Sequence, residues 1–318
     1  MRRDLLNSKY NQYKANMHTH STVSDGLKTP EELRDMYMEQ GYSIIAYTDH
    51  EKFVRHNELS NESFLALNGF EMGFDESNPN KSTWETYVCH INFVALSPDI
   101  ENHPNDDNPT FVREYSSECI NGMIRRGREK GFFVTHNHPT WSLENYPIYM
   151  SYEGHNALEL INYVSFWCGT NEYNTGIYDD LLRSGKRLIA VAGDDNHNLV
   201  PDSFGAYTVI LSENLEYRNV ARSLEEGQCY VSEGPEIKEL YVEDGKIKVK
   251  CSPAKHIHFS SNSRYAQTFF NEDGGLITEA EYEILPEVKY MRVTIIDDHN
   301  RHACSRGYFI DELLPQNE

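Results

Sequence analysis

Several features that assign a chain to a common class are missing from these 318 residues. No apolar run approaches the roughly 18 residues of a transmembrane helix, so the sequence predicts no membrane span. The stretch from Met1 to Lys9 lacks the apolar core of a signal peptide, and nothing in it indicates export. The six cysteines stand singly, without a CxxC pair, which favours reduced thiols and disfavours a thiolate zinc site. We therefore expect a cytoplasmic protein that has no membrane contact.

Positive charge is also scarce. The chain has 29 Lys and Arg residues against 50 Asp and Glu residues, a formal net charge of −21. A surface that coats nucleic acid needs clustered Lys and Arg, so we expect no extended nucleic-acid surface. The motifs GxGxxG after a strand, GxxxxGK[ST], HExxH and GxSxG are absent, which argues against a nucleotide-cofactor enzyme or a serine hydrolase.

Short apolar runs alternate with helical stretches from Ala15 to about Ile210. Strands are predicted at 43–47, 87–96, 131–135, 157–162 and 188–192. Helices are predicted from Pro30 to Gly41, over Ser117–Lys130, over Glu172–Arg183 and over Leu215–Glu226. The first helix has an N-cap at Thr29, proline at its first position and glutamate at Glu32. This alternation predicts an α/β fold with a parallel sheet or a β/α barrel.

The pattern of apolar and polar residues changes after about Gly227. Two alternating segments, 237–242 and 246–250, flank an Asp244-Gly245 turn that is typical of a hairpin, and a further strand is predicted at 290–296. We expect two domains, a hydrolase barrel at 1–231 and a small antiparallel β domain at 232–318.

The fourteen histidines are the most informative residues. Four clusters follow predicted strands: His18-Thr19-His20 with Asp25, Thr48-Asp49-His50, Thr135-His136-Asn137-His138-Pro139 and Gly193-Asp194-Asp195-Asn196-His197. Strand ends of a β/α barrel converge on one face, and a His-x-His pattern on a strand places both rings on the same side. Imidazole and carboxylate ligands together suit Zn²⁺, Mn²⁺ or Fe²⁺. His256-Ile257-His258 has no carboxylate cluster nearby, so we predict no metal there.

The ordered set of motifs resembles the PHP (polymerase and histidinol phosphatase) family of metal-dependent phosphoesterases. It comprises His18-Thr19-His20-Ser21, Ser24-Asp25-Gly26, Thr48-Asp49-His50, Gly69-Phe70-Glu71, His90, His138-Pro139 and Asp195-Asn196-His197. The resemblance covers roughly residues 12–230. It implies a distorted, TIM-like seven-stranded β/α barrel that holds two or three divalent metal ions, here Zn, Mn or Fe. The chain after it resembles the immunoglobulin-like β-sandwich of some stand-alone PHP proteins.

The resemblance also implies three groups of ligands. His18, His20, Glu71 and Asp195 would surround a first metal; Glu71, His90 and His138 a second; and Asp25, His50 and His197 a third. Only the resemblance singles out Glu71.

Three positions near these ligands are less determined by the pattern. The His-Pro pair favours His138 over His136 as the ligand, and the Asp-x-His spacing favours Asp195 over Asp194. His136 is then a candidate for contacting the substrate or for protonating the leaving oxygen. Asp49 is expected to support a ligand rather than to bind metal.

The function implied is hydrolysis of a small phosphomonoester or phosphodiester. A hydroxide between two metals that share Glu71 would attack phosphorus, while the third metal binds the phosphoryl group. We predict Glu71 and His136 as the catalytic residues and a small phosphorylated molecule as the substrate. Two alternatives remain, a carboxylic or carbamate ester hydrolase with the same centre and a non-catalytic, metal-stabilised binding protein. The sequence does not indicate an oligomeric state.

Overall fold

The computed structural model describes residues 2–108, 110–171 and 173–314. Its strands are β1 (Arg3–Leu6), β2 (Asn11–Asn16), β3 (Ile44–Tyr47), β4 (Leu65–Asp75), β5 (Val88–Ala95), β6 (Phe132–His136), β7 (Ala157–Asn162), β8 (Ile189–Gly193), β9 (Tyr207–Ser212), β10 (Cys229–Ser232), β11 (Ile237–Glu243), β12 (Lys246–Ala254), β13 (His256–Ser261), β14 (Gln267–Phe269), β15 (Ile277–Glu283), β16 (Tyr290–Ile296), β17 (His302–Ser305) and β18 (Tyr308–Phe309). Its α-helices are α1 (Pro30–Glu39), α2 (Ser117–Glu129), α3 (Tyr146–Met150), α4 (Tyr163–Trp167), α5 (Thr175–Arg183), α6 (Tyr217–Glu225) and α7 (Ile310–Leu313).

The predicted helices form close to their expected positions. At the start of α1, Thr29 accepts a hydrogen bond from the Glu32 amide while the Glu32 carboxylate accepts one from the Thr29 amide, which confirms the capping box. The predicted start of the third helix, Glu172, lies outside the described residues, and α5 begins at Thr175. No helix in the described part of the chain has the length and hydropathy needed to span a bilayer.

A large sheet runs through β2-β3-β4-β5-β6-β7-β8, with β9 on the other side of β2. The pairs β2–β3–β4 and β6–β7–β8 are parallel, as predicted. The expectation of a parallel sheet does not hold at β5, which is antiparallel to both of its neighbours. The connection from β4 to β5 contains no helix, so the chain returns beside β4 in the opposite direction.

The two ends of this seven-strand path meet without a strand ladder among the described residues. The segments beyond β2 and β8 form a bridge between Thr19 and Asn196, and the Asp195 amide donates to the His18 carbonyl at 2.9 Å. The chain thus has a mixed α/β fold with a large sheet and few helices. The closed seven-stranded barrel stays a prediction.

The C-terminal part is almost entirely β-structure. The strands β1-β11-β12-β15 form a four-stranded sheet. The turn between β11 and β12 contains Asp244 and Gly245, both with positive φ, as the predicted hairpin requires. Its inner face shares one apolar core with β13 and β16, through residues such as Leu240, Ile257 and Val293. Strand β10 pairs with both β9 and β17, so the large sheet continues into this part. The division into 1–231 and 232–318 stays a prediction.

Candidate metal centre

The ligands named above come from six strands and the loops that follow them. His18 and His20 follow β2, His50 follows β3, Glu71 lies in β4, His90 in β5, His138 follows β6, and Asp195 and His197 follow β8. Close packing of the backbone makes this convergence possible. A Cβ atom on Gly193, the last residue of β8, would lie 2.6 Å from the Cβ of His18, so only glycine allows the two strand ends to approach.

Glu71 is at the middle of the convergence, and its side chain is 1% exposed. Its Oε1 lies 3.2 Å from Nε2 of His18, 3.1 Å from Nδ1 of His90 and 3.4 Å from Nε2 of His138. Its Oε2 lies 3.4 Å from Nε2 of His20 and 3.0 Å from Nδ1 of His50. One carboxylate therefore contacts five histidines and joins ligand groups that are far apart in sequence.

The residues separate into the three groups that the resemblance implies. The ligand atoms of each group lie within 4.8 Å of one another: His18, His20, Glu71 and Asp195; Glu71, His90 and His138; and Asp25, His50 and His197, here joined by His20. The first two groups are mostly buried. The third is more open, because the Asp25 side chain is 53% exposed. The structure brings together all nine predicted ligands.

Several polar atoms at the centre fit bound cations. Glu71 Oε2, Asp195 Oδ1 and His20 Nδ1 are buried and have no hydrogen-bond partner among the described residues. They lie close to other ligand atoms, yet not in directions that form hydrogen bonds. Buried polar atoms without partners are costly, and a metal ion among them removes that cost. The nitrogen and oxygen donor set fits Zn²⁺, Mn²⁺ or Fe²⁺.

The field at the centre is set by its carboxylates. Burial by itself lowers the pKa of His138, but the hydrogen bond to Glu71 and the nearby Asp195 raise that pKa to about 9. His197 behaves in the same way beside Asp25, with a pKa of about 9. Without metal, protons on these rings compensate the negative charge, so a cation can replace them.

Three supporting residues were missed by the sequence analysis. Glu159 in β7 accepts a hydrogen bond from His18 Nδ1 at 2.9 Å and from the His138 amide at 3.1 Å. Asn137 donates to Glu71 Oε1 at 2.8 Å, and Asn162 donates to Asp195 Oδ2 at 3.1 Å. Such partners fix the orientation of ligands. The available signal was Glu159 itself, a charged residue inside the apolar run 157–162.

The structure places the two other aspartates away from the ligand groups. Asp49 accepts hydrogen bonds from Ser21 and Ser24 and so holds the loop that carries Asp25, the supporting role expected of it. Asp194 accepts bonds from the amides of the 204–206 segment and from Tyr37, whereas Asp195 joins the first group.

His136 does not reach the centre. The chain leaves β6 at this residue, and His138 has a φ of 23°, so the alternation of a regular strand does not continue from one ring to the other. The expectation that both rings share one side is wrong here. His136 Nε2 lies 2.8 Å from Glu144 Oε2 in a buried position, and His136 does not line the cavity over the centre. The predicted roles of His136 in substrate contact and proton donation do not fit this position.

A cavity of about 790 Å³ opens above the ligands. Its walls are largely apolar and include Trp84, Trp141, Val164, Leu199 and Val200. Among the described residues that line it there is no lysine or arginine. A bound anion would therefore depend on metal ions for positive charge.

The sequence matches no family model and no curated protein. The structure is similar to a two-domain protein from Bacteroides vulgatus that contains a predicted PHP-like metal-dependent phosphoesterase, with 14% identity, a TM-score of 0.48 and coverage of 96% of each chain. A protein with a predicted PHP-like phosphoesterase is thus among the solved structures that this chain is similar to.

Two further neighbours cover less of the chain. One is a proposed metal-dependent phosphoesterase from Bifidobacterium adolescentis, with 16% identity, a TM-score of 0.41 and coverage of 65% of this chain and 94% of that one. The other is an amidohydrolase from Chromobacterium violaceum with bound sulfate and no metal, with 16% identity, a TM-score of 0.40 and coverage of 57% and 87%.

Proposed function

We propose that the chain is a metal-dependent hydrolase that cleaves a small phosphate ester. The observation that carries this proposal is the Glu71 carboxylate, which is buried and lies within 3.4 Å of ring nitrogens from five histidines at the floor of an open cavity. Divalent metals held here would lower the pKa of a water to near neutral and would neutralise phosphoryl oxygens. The proposal includes the distorted seven-stranded barrel, the C-terminal β-sandwich and two or three Zn, Mn or Fe ions.

The chain's own residues have distinct tasks in this proposal. Glu71 joins the first and second ligand groups, and Glu159 holds His18 in one ring orientation. Asp25, His50 and His197 form the most exposed group, so they are placed to act on the part of the substrate that enters from solvent. The apolar walls would pack against the remainder of the ester group.

The cavity walls favour one competing function, hydrolysis of a carboxylic ester. Trp84, Trp141 and Leu199 offer apolar contacts, and the described lining contains no lysine or arginine for a second anionic group. An uncharged carboxylic ester would fit such walls just as well as a phosphate ester of an apolar alcohol would.

The test compares three substrates on one preparation. The protein is reconstituted separately with Mn²⁺, Zn²⁺ and Fe²⁺ and assayed with p-nitrophenyl phosphate, bis-p-nitrophenyl phosphate and p-nitrophenyl acetate. We expect turnover of a phosphate ester with at least one metal, and its loss in the D195N variant. Activity on the acetate alone would support the carboxylic esterase. Metal retention without turnover of any substrate, including a panel of phosphorylated metabolites, would support the non-catalytic binding protein.

A further inference from the structure

A second cluster of potential ligands lies on the other side of β5 and β6 from the candidate metal centre. It consists of Cys89 in β5, His136 at the end of β6 and Glu144 in the loop that follows. The ligand atoms of these three residues lie within 4.8 Å of one another, and all three are buried. Neighbouring residues of a strand point to opposite faces, so His90 contacts Glu71 while Cys89 enters the apolar core beside Tyr152.

The side-chain nitrogen and oxygen atoms of this cluster lack hydrogen bonds among the described residues. Both ring nitrogens of His136 and both carboxylate oxygens of Glu144 are buried without a hydrogen-bond partner in the described part of the chain. The 2.8 Å approach of His136 Nε2 to Glu144 Oε2 is therefore a close contact without hydrogen-bond alignment. Glu71 Oε2 and Asp195 Oδ1 at the candidate metal centre show the same combination of close ligand atoms and absent hydrogen bonds.

Charge and ligand chemistry point to the same cation. One thiolate, one carboxylate and one neutral imidazole around a divalent ion give zero net charge, which suits a site enclosed by apolar side chains. A thiolate is a soft ligand that selects zinc over manganese or magnesium. His155, whose ring centroid is 5.8 Å from that of His136, also has two buried nitrogens without hydrogen-bond partners among the described residues.

We infer that Cys89, His136 and Glu144 bind a structural Zn²⁺ ion that is separate from the candidate metal centre. Because the cysteines stand singly in the sequence, they argue against metal sites with several thiolates. The site inferred here uses only one thiolate. The ion would attach the loop that carries Glu144 to β5 and β6. The same loop follows His138 and carries Trp141, so zinc here would hold one ligand and one wall of the cavity in place. Binding displaces the thiol proton to solvent.

The competing explanation is a metal-free contact between His136 and Glu144 beside an unligated Cys89 thiol. The two explanations differ in sulfur coordination. The three ligand groups of the candidate metal centre contain no cysteine, although Cys168 lines the cavity above them. A sulfur–metal signal that survives loss of Cys168 and disappears with Cys89 therefore identifies the second site.

The experiment loads the full chain with Co²⁺ and records its near-ultraviolet absorption, with zinc content measured in parallel. We expect a sulfur-to-cobalt charge-transfer band in the parent protein, in C168S and in C229S, which changes an equally buried cysteine. The C89S variant should lose the band and about one zinc ion per chain. Absence of the band in the parent, its survival in C89S or its loss in C168S would overturn the inference.

A second measurement covers the case in which C89S does not fold. Zinc-loaded C168S protein is studied by X-ray absorption, where one sulfur neighbour per chain at about 2.3 Å is expected, averaged over all the zinc ions bound. A spectrum with only nitrogen and oxygen neighbours would overturn the inference. Neither measurement reads turnover, so this inference and the proposed function fail separately.

Discussion

Two of the three His-x-His patterns in the chain, one at His18 and one at His256, have opposite surroundings. His18 and His20 follow β2, and their Nε2 atoms lie 3.2 Å apart. His256 and His258 lie within β13, with ring centroids 6.1 Å apart. The first pair contacts Glu71 and Asp195, whereas the ring of His256 contacts the rings of His258 and Phe270.

The electrostatic environment separates the two pairs. Burial lowers the pKa of His18, but Asp195, Glu71 and Glu159 outweigh burial and raise the pKa well above its ordinary value. For His258, burial, His256 and Arg292 all act in one direction and lower the pKa. The first environment attracts cations and the second repels them. The pattern alone therefore does not make a metal site; the carboxylates that the fold brings to it do.

The largest expected effect comes from removing the carboxylate that joins the histidines. The E71Q variant should lose about 100-fold or more in metal affinity, and turnover with it. This loss is larger than the 10- to 100-fold typical of residues that only hydrogen-bond to a ligand. The matched control is E233Q, because Glu233 contacts His302 at 2.8 Å in the C-terminal region and is not one of the nine predicted ligands. Metal content after dialysis, by elemental analysis, measures both. Equal metal loss in E71Q and E233Q would remove the distinction between the two regions.

The two His-x-His patterns are compared directly by single alanine variants. H20A should lose at least one metal ion per chain, because His20 contacts both Glu71 and Asp195. H258A should keep the metal content and activity of the parent protein. Circular dichroism confirms that both variants are folded. Unchanged metal content in H20A would contradict the assignment of the first ligand group.

A smaller effect is expected from the carboxylate behind His18. E159Q retains the shape of the side chain but loses the charge that orients the His18 ring, so metal affinity should fall by about 10- to 100-fold. Saturating metal should restore most of the activity of E159Q and none of that of E71Q. Metal titrations of kcat measure the difference. Failure of excess metal to rescue E159Q would assign Glu159 a more direct role.

The smallest effect for a single residue is a dependence of metal binding on pH. His138 and His197 have pKa values of about 9 without metal, so each must lose a proton before it binds a cation. Affinity should rise by up to about tenfold per pH unit for each proton released, and should level off above about pH 9. The metal-free fold should show the reverse trend, because these rings bind more protons folded than unfolded between about pH 6.5 and 9. Calorimetry in buffers of different ionisation enthalpy counts the protons; release of none would contradict this prediction.

The sequence predicted the elements of the fold better than their arrangement. The capping box at Thr29 and Glu32 and the turn at Asp244 and Gly245 depend on neighbouring residues, so they were accessible without the structure. The reversal of β5 was not, because strand direction depends on how a long connection crosses the sheet. Glu71 was identified through resemblance, because its distance along the sequence from the histidine motifs gives no signal.

The sequence by itself determined that histidines and carboxylates gather at strand ends and that the chain is acidic. It also favoured Asp195 over Asp194 and His138 over His136 as members of the ligand groups. Only the tertiary structure decided that Glu71 lies among five histidines, that Glu159 stands behind His18, and that His136 lies near Cys89 and Glu144 instead of the cavity. The physical reason is that periodicity describes one strand at a time. Contacts between ligands depend on where each strand ends, on how neighbouring strands pair and on the backbone φ values of the residues after each strand.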